Sequence, residues 1–468
     1  MKRNLSAILP FVALLATFGG AVSHAASKSA AKTITSFTVA GTAGVIDGNT
    51  ITVDLAAQSL FTRVDALVAT FKTDGKAVSV GAKAQVSGKT ANDFTKPVRY
   101  TVTAADGSKQ EYTVRVLLGT ITSLSGYGGT MLVGSDGSLW GTGRNSDGQL
   151  GMGNTSSVYV PKQVLANGVA AVAAGYYHTL ILKTDGSLWA TGYNKLGQLG
   201  NGGGASVSSP VQVMADGVAS VSAGVNFSLV VKTDGSLWVT GVNDSGQLGN
   251  GTTTSVSTPV KVIDDGVASS AGGEHHALIV KKDGSLWAMG ANGHGQLGTG
   301  GTADSRVPVQ VVASGVVSAS AGRAHSLFVK TDGSLWGMGY NEFGQLGTGA
   351  TTDVTSPVQI LAGGVASVSA GGDHTLILKT DGSLWAMGYN KNGQIGNGGK
   401  DNVLAPTQIL ANGVVAVSGG LVHTVILKKD HSLWATGYNN NGELGIGNAP
   451  GVLSLVQVRR PSLAKGDE

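Results

Sequence analysis

The 468-residue chain contains no cysteine. Disulfides, thiolate nucleophiles and cysteine metal sites are therefore excluded, and a chain this size must hold together through its core. A domain of ~300 residues can do so, because it buries about 75% of its extended surface. Charge is also sparse, with 32 Lys and Arg against 28 Asp and Glu and no basic run. This balance argues against nucleic acid as a partner, since phosphate binding needs clustered cations. After the first 25 residues no apolar run is long enough to cross a bilayer. A helical period is absent too, as are a Gly-x-Ser-x-Gly nucleophile elbow and the Cys-Trp-Cys pattern of antibody domains.

What the chain has in abundance is repetition. Its seven tryptophans, Trp140, Trp189, Trp238, Trp287, Trp336, Trp385 and Trp434, stand 49 residues apart, and Asn145 opens a second series with the same step. After each Asn comes GQLG, varied to GQIG in the sixth copy and GELG in the last. A period of this size marks a solenoid, propeller or array. The second unit divides at turn signals into four short strands, 160–164, 169–175, 178–183 and 187–192. Asp185-Gly186 and Asn167-Gly168 are expected to supply the positive φ angles of tight turns. Runs such as LILK and SLWA are apolar on consecutive residues, the pattern of strands covered on both faces. Seven such sheets are satisfied by radial stacking, with each Trp filling the wedge between neighbours and removing ~150–250 Å² from water.

The unit GxxHTLILKTDGSLWATGYNxxGQLGNG resembles the regulator-of-chromosome-condensation type of repeat, over residues 118–458. The resemblance implies a seven-bladed propeller, in agreement with the count above. Its name-giving eukaryotic member is a nuclear guanine-nucleotide exchange factor that docks on nucleosomes, and a secreted bacterial relative inhibits β-lactamases through one face of its ring. Fold does not fix function, and the exchange factor's working residues lie outside the repeat consensus, so none is carried over.

Closure of the ring is assigned to 455–458 (LVQV), the seventh member of a series of PVQV-like strands, which is expected to complete the blade begun near Thr120. The alternative is that each PVQV belongs to the preceding blade, with no such stitch. His178, His276, His325, His374 and His423 share one position, broken by Gly129 and Phe227. Such gaps suit a packing role, a buried imidazole bonded to nearby backbone, better than a metal or catalytic one. His431 replaces a turn glycine, which predicts either strain there or a turn of another type.

Ahead of the ring, residues 1–25 have the form of a secretory signal: Lys2 and Arg3, an apolar stretch over 5–18, then Ser23-His24-Ala25. Cleavage after Ala25 would remove two cations and no anion, taking 32 − 28 to 30 − 28, a net +2. The expected product is exported, to the periplasm, cell surface or medium. A linker (26–32) leads to a module over 33–117 whose alternating strands and Asp-Gly turns predict a small immunoglobulin-like β-sandwich, and its last segment resembles bacterial surface modules of that kind. The fold expected for the whole is all-β, a sandwich followed by a propeller, with a short tail over 459–468.

Function is sought in the letters the repeat edits. The two positions before the shared His are the most varied, Tyr127-Gly128, Tyr176-Tyr177, Val225-Asn226, Glu274-His275, Arg323-Ala324, Gly372-Asp373 and Leu421-Val422. The position after the Trp strand's closing glycine holds Arg144, Tyr193, Val242, Ala291, Tyr340, Tyr389 and Tyr438. Both sets fall on the rim opposite the Asp-Gly hairpins, so successive blades should present them side by side. Tyr127, Arg144, Tyr176, Tyr177, Tyr193, Asn226, Glu274, His275, Arg323, Tyr340, Asp373, Tyr389 and Tyr438 are the candidate binding face, rich in the residue types that anchor interfaces.

No catalytic residue, metal or cofactor is assigned. Glu274, His275 and Asp373 make a weak signal for a metal or an acid–base pair, and the GQLGNG glycines lack the strand and helix of a nucleotide loop. With no inserted loop in any unit, the favoured reading is a secreted non-catalytic scaffold for a protein or a surface glycan. A glycan-acting hydrolase or lyase at the ring's mouth is the second reading, and a guanine-nucleotide exchange factor the third.

Overall fold

The computed structural model describes residues 28–55, 64, 66–94, 96–117 and 121–458. The expected signal (1–25), the start of the linker and the tail (459–468) lie outside them. The described residues form strands and turns and no helix. The chain divides between Val116 and Leu117 into two compact units, with residues 54–64 grouped with the second.

The first unit has two sheets. One orders Thr42–Ala43, Ile34–Val39, Leu67–Thr73 and Ala91–Asn92; the other orders Val45–Asp47, Thr50–Asp54, Lys109–Leu117, Val98–Thr103, Ala77–Val80 and Lys83–Ala84. Alternation sends one side of each strand inward, so Phe37 and Phe71 of the first sheet meet Tyr100 of the second. Phe37 and Tyr100 pack edge to face with centroids 5.1 Å apart, and the Tyr100 hydroxyl accepts a hydrogen bond from Asn92 at 2.9 Å. The hairpin expected around Asp106-Gly107 joins Val98–Thr103 to Lys109–Leu117 in antiparallel register.

The second unit is seven four-stranded antiparallel sheets, each built from consecutive strands. Blade 1 comprises Ile121–Gly126, Gly129–Gly134, Leu139–Gly143 and Val158–Leu165; blade 2 comprises Val169–Ala174, His178–Lys183, Leu188–Gly192 and Val207–Met214. Blades 3 to 7 repeat this pattern over 218–263, 267–312, 316–361, 365–410 and 414–457. The second strand is buried along nearly its whole length in every blade, as its unbroken apolar run requires. In blade 2 the hairpin is a three-residue loop, with Lys183 N–H donating to Ser187 O and positive φ at Gly186 alone. Asp185 keeps a negative φ, contrary to expectation. Its carboxylate instead accepts from the Ser187 amide and hydroxyl, and the Ser187 hydroxyl accepts from Trp189 Nε1 at 3.0 Å. His431, the one non-glycine at this turn position, has φ 63°.

The ring does not close as the strand series predicted. Val452–Gln457 pairs with Leu433–Gly437 of its own blade, and every PVQV strand likewise follows the Trp strand before it. The sequence period was thus cut one strand out of phase. Closure instead repeats the contacts that join every other pair of blades. Trp189 packs on the apolar core of blade 1, and Trp140 packs in the same way on blade 7, with Val425, Leu433, Leu444 and Val458. Gly153 N–H donates to Ser208 O in the next blade, and Gly447 N–H donates to Tyr159 O across the seam.

The shared histidines make the most informative of these contacts. Nε2 lies 2.9–3.2 Å from a hydroxyl of the following blade in the pairs His178–Ser228, His276–Ser326, His325–Thr375, His374–Thr424 and, across the seam, His423–Thr130. Each hydroxyl spends its one proton on a backbone carbonyl, Gln198, Gln296, Gln345, Gln394 or Glu443 respectively. It can therefore only accept from the ring, which fixes a neutral Nε2–H imidazole. The partner is a side chain and not the nearby backbone that the sequence suggested. Burial disfavours the charged ring and pushes His178 and His423 down to about 4, and His276, His325 and His374 to about 3. The glycine three residues before each His leaves room for this clasp: a Cβ on Gly175 would fall 2.7 Å from the His178 ring and 2.6 Å from Gly224 O of the next blade.

Candidate functional site

The clasps fix where the edited residues go. Each varied pair is the tight link into the second strand, and in blades 3 to 7 its backbone donates to the next blade. Val225 N–H donates to Gly273 O, Glu274 to Arg323 O, Arg323 to Gly372 O, Gly372 to Gly420 O and Leu421 to Tyr127 O. The edited positions thus follow one another around one rim of the ring. The position after the Trp strand's glycine joins them within blades 2 to 7, for Tyr193 N–H donates to Tyr177 O, Val242 to Asn226 O, Ala291 to His275 O, Tyr340 to Ala324 O, Tyr389 to Asp373 O and Tyr438 to Val422 O.

Their side chains gather into two groups. In blades 1 and 2, Tyr127 meets Tyr176 edge to face (6.2 Å), Tyr176 meets Tyr177 (4.3 Å), and Tyr177 meets Tyr193 (5.8 Å). The Arg144 guanidinium lies 5.0 Å from the centroids of both Tyr176 and Tyr177 and is tied to Asp147 at 3.3 Å. The Tyr127 hydroxyl is buried and has no hydrogen-bond partner among the described residues, and that burial, together with the carboxylates of Glu274 and Asp373, raises its ionisation well above the ordinary phenol range. A small recess of about 160 Å³ beside it is lined by Tyr127, Arg144, Tyr438 and Glu443.

The second group spans blades 4 to 6. Arg323 Nε is 3.1 Å from Asp373 Oδ1 and 4.0 Å from Glu274 Oε2, and its Cζ stands 5.7 Å from the Tyr340 centroid. Burial raises the Asp373 carboxyl, against the lowering effect of Arg323. The Tyr340 hydroxyl donates to Glu342, and burial followed by that carboxylate pushes the phenol up to about 12. Tyr389 joins through Phe343, whose ring touches both tyrosines at 4.9–5.7 Å. Two candidates face elsewhere. Asn226 accepts from Gln198 Nε2 at 3.1 Å, and His275 turns to Gln247 and Asp244, 3.3–3.4 Å away, and not to Asp373. Glu274 and Asp373 are therefore shared by one guanidinium while His275 stands apart, and among the described residues no group of three His, Asp or Glu side chains can hold a metal ion.

Several residues of this face were not selected from the sequence. His294, whose Nδ1 lies 2.7 Å from Asp353, packs on Tyr340 at 4.6 Å, and Glu342 and Phe343 belong to the same cluster. His294, Glu342 and Phe343 occupy the two variable positions of Asn-x-x-Gly-Gln. That variability was visible in the sequence and marks them as edited letters too. The loop itself is fixed by the buried Asn: Asn194 Oδ1 accepts from Leu199 N–H at 3.0 Å while its Nδ2 donates to Gly203 O, so the x-x pair is held outward.

The RCC1-like domain profile matches residues 67–363, well over half of the chain. The chain belongs to the RCC1-like domain family. Individual regulator of chromosome condensation (RCC1) repeats match at 365–394, 381–427 and 414–443, so the RCC1-like assignment runs on through blades 6 and 7. The profile's first residues fall in the N-terminal unit, ahead of the first blade at Ile121. No curated protein matches the sequence. Among solved structures, the yeast RCC1 protein Prp20 bound to Kap60 superposes with a TM-score of 0.62 at 21% identity, over 69% of this chain and 83% of that one. Prp20p from Saccharomyces cerevisiae, in a study of its binding to Gsp1p and histones, gives 0.62 at 22%, over 69% and 86%. Human WBSCR16 gives 0.61 at 25%, over 69% and 94%. The two yeast likenesses establish the RCC1 propeller fold and nothing narrower.

Proposed function

We propose that this protein is an exported, non-catalytic scaffold whose edited rim binds another macromolecule, a protein or a surface glycan. The observation that carries this reading is the backbone lacing of the edited positions from blade to blade, which gathers aromatic, Arg and acidic side chains on one rigid face. Aromatic and Arg anchors on a preformed surface are what binding hot spots use. The relatives support a protein partner in kind, since Prp20 is described bound to Kap60. Export rests on the leader over residues 1–25, and the N-terminal two-sheet unit is proposed as an immunoglobulin-like spacer.

Affinity capture from the producing organism's own envelope tests the reading. The protein and its Tyr176→Ala/Tyr177→Ala/Arg323→Ala/Asp373→Ala variant serve as paired baits. A partner retained by the first and lost from the second is expected. Equal capture by both places binding elsewhere and defeats the proposal.

A further inference from the structure

Between blades 4 and 5 the edited face opens into a cleft of about 500 Å³, lined by Glu274, His275, His294, Gln296, Asp304, Arg323, Ala324 and Tyr340. This is within the size range of sites that hold a small molecule or a projecting side chain. Its carboxylates outnumber its permanent cation. Glu274 and Asp304 lie in the wall and Asp353 stands behind His294, while the one permanent cation of the lining, Arg323, is already held by Asp373 and Glu274. The chain as a whole carries a net charge of +4, so this acidity is local.

An independent feature marks the same cleft as built for a ligand. The Gln of each GQLG or GQIG loop accepts, through Oε1, from a backbone amide two residues earlier, and in two blades its Nε2 meets the residue that precedes the second strand of the next blade. In blade 3 that residue is Asn226, which accepts from Gln198 at 3.1 Å, and in blade 4 it is His275, 3.3 Å from Gln247. In blade 5 it is Ala324, which offers no acceptor. Gln296 is only 4% exposed, its Oε1 is satisfied by His294 N–H, and its Nε2 has no partner among the described residues; the Nε2 groups of Gln149, Gln345 and Gln394 are unpartnered too but sealed from solvent, whereas that of Gln296 stays open to the cleft it lines. That open donor is available to an incoming carbonyl.

We infer that this cleft receives a lysine or arginine side chain of a protein partner, with Glu274 and Asp304 facing the cation and Gln296 Nε2 donating to a carbonyl of the same segment. The inference rests on the binding-platform reading and names its partner's chemistry. A charge leaves water at tolerable cost only against opposite charge and hydrogen bonds, and the carboxylates here supply both. A neutral sugar would use the amide and Tyr340 but leave the acidic excess unanswered.

Binding of Ac-Gly-Arg-Gly-NH2 and Ac-Gly-Lys-Gly-NH2 to the full chain, followed by saturation-transfer NMR, tests this, with Ac-Gly-Met-Gly-NH2 and cellobiose as controls. Two variants accompany it. Glu274→Gln keeps the side chain's shape, and Ala324→Asn copies blade 3 by giving Gln296 an internal acceptor. The expected result is saturable binding of the basic peptides alone, weakened several-fold by 300 mM salt and at least ~10-fold by either variant, with unchanged melting temperatures. Binding of cellobiose or the Met peptide as strong as that of the basic peptides overturns the inference, and so does basic-peptide binding that neither variant alters. If a captured partner depends on the four-alanine face but tolerates Glu274→Gln and Ala324→Asn, the basic-side-chain inference falls and the platform stands. If capture ignores the face altogether, both fall.

Discussion

Phe227 of blade 3 and Ala277 of blade 4 are packed together in one fully buried apolar cluster, at the two positions that a histidine and its hydroxyl partner occupy between other blades. At this junction the ring nitrogen and the hydroxyl that would have accepted from it are gone together, whereas between blades 1 and 2 Gly129 replaces the histidine and Thr179 keeps its hydroxyl, which donates to Gln149 O at 2.7 Å. This pairing predicts a non-additive response. Phe227→His alone places an Nε2–H against a methyl group and should cost about 1–3 kcal/mol. Adding Ala277→Ser supplies the acceptor, and a double-mutant cycle by urea unfolding should return a favourable coupling of roughly 1 kcal/mol.

The same clasps set a pH dependence. The five clasp histidines are held neutral to about 3 or 4 in the fold, against an unfolded value near 6.5. Between those limits the unfolded chain binds more protons, so stability is full above pH ~6.5 and falls as pH drops toward 3–4. Each ring contributes at most about 1.4 kcal/mol per pH unit. Chemical denaturation at pH 7, 5.5 and 4.5 should show a steep loss, and a His374→Phe/Thr424→Ala variant, which copies the Phe227–Ala277 pair, should show a shallower one.

How much of this was legible in the sequence depended on which contacts are local. Strand positions, blade number and the wedge role of the Trp residues follow from period and turn chemistry, and the structure repeats them in every blade. Phase was not legible, because 455–458 can pair equally well with a Trp strand before or after it; only the course of the chain around the ring decides. The clasp partner was hidden for a related reason. Ser228 lies 50 residues beyond His178, one more than the repeat, so the contact connects different positions of neighbouring units. On the candidate face, the Tyr and Arg choices could be made from editing alone, whereas the cleft required knowing that Gln296 and Ala324, from different blades, line one space.

His431 sits at φ 63° where the other blades have glycine. The left-handed conformation costs a non-glycine residue about 1–2 kcal/mol, partly offset by the greater freedom that glycine gives the unfolded chain. His431→Gly should therefore raise stability by a few tenths to about 1 kcal/mol, read as a higher melting temperature with an unchanged m-value.

The Arg323–Asp373 pair predicts an asymmetry between its partners. The Asp373 side chain is 15% exposed against 40% for Arg323, so removing the cation leaves a mostly buried carboxylate unpaired. Arg323→Met should cost about 1–3 kcal/mol at pH 7, whereas Asp373→Asn should cost less. Because burial already raises the Asp373 carboxyl, the Arg323→Met penalty should shrink on going from pH 7 to pH 5, as the carboxyl takes up a proton in the fold before it does in the unfolded chain.

The central claim is that the edited rim is where a partner binds. Hydrogen–deuterium exchange of the complex with a captured partner tests it most directly. The account predicts new protection at 126–128, 175–177, 193–194, 274–276, 323–325 and 372–374, with the hairpins at 184–186, 233–235 and 331–333 unchanged. Protection confined to those hairpins or to residues 33–117 would contradict it.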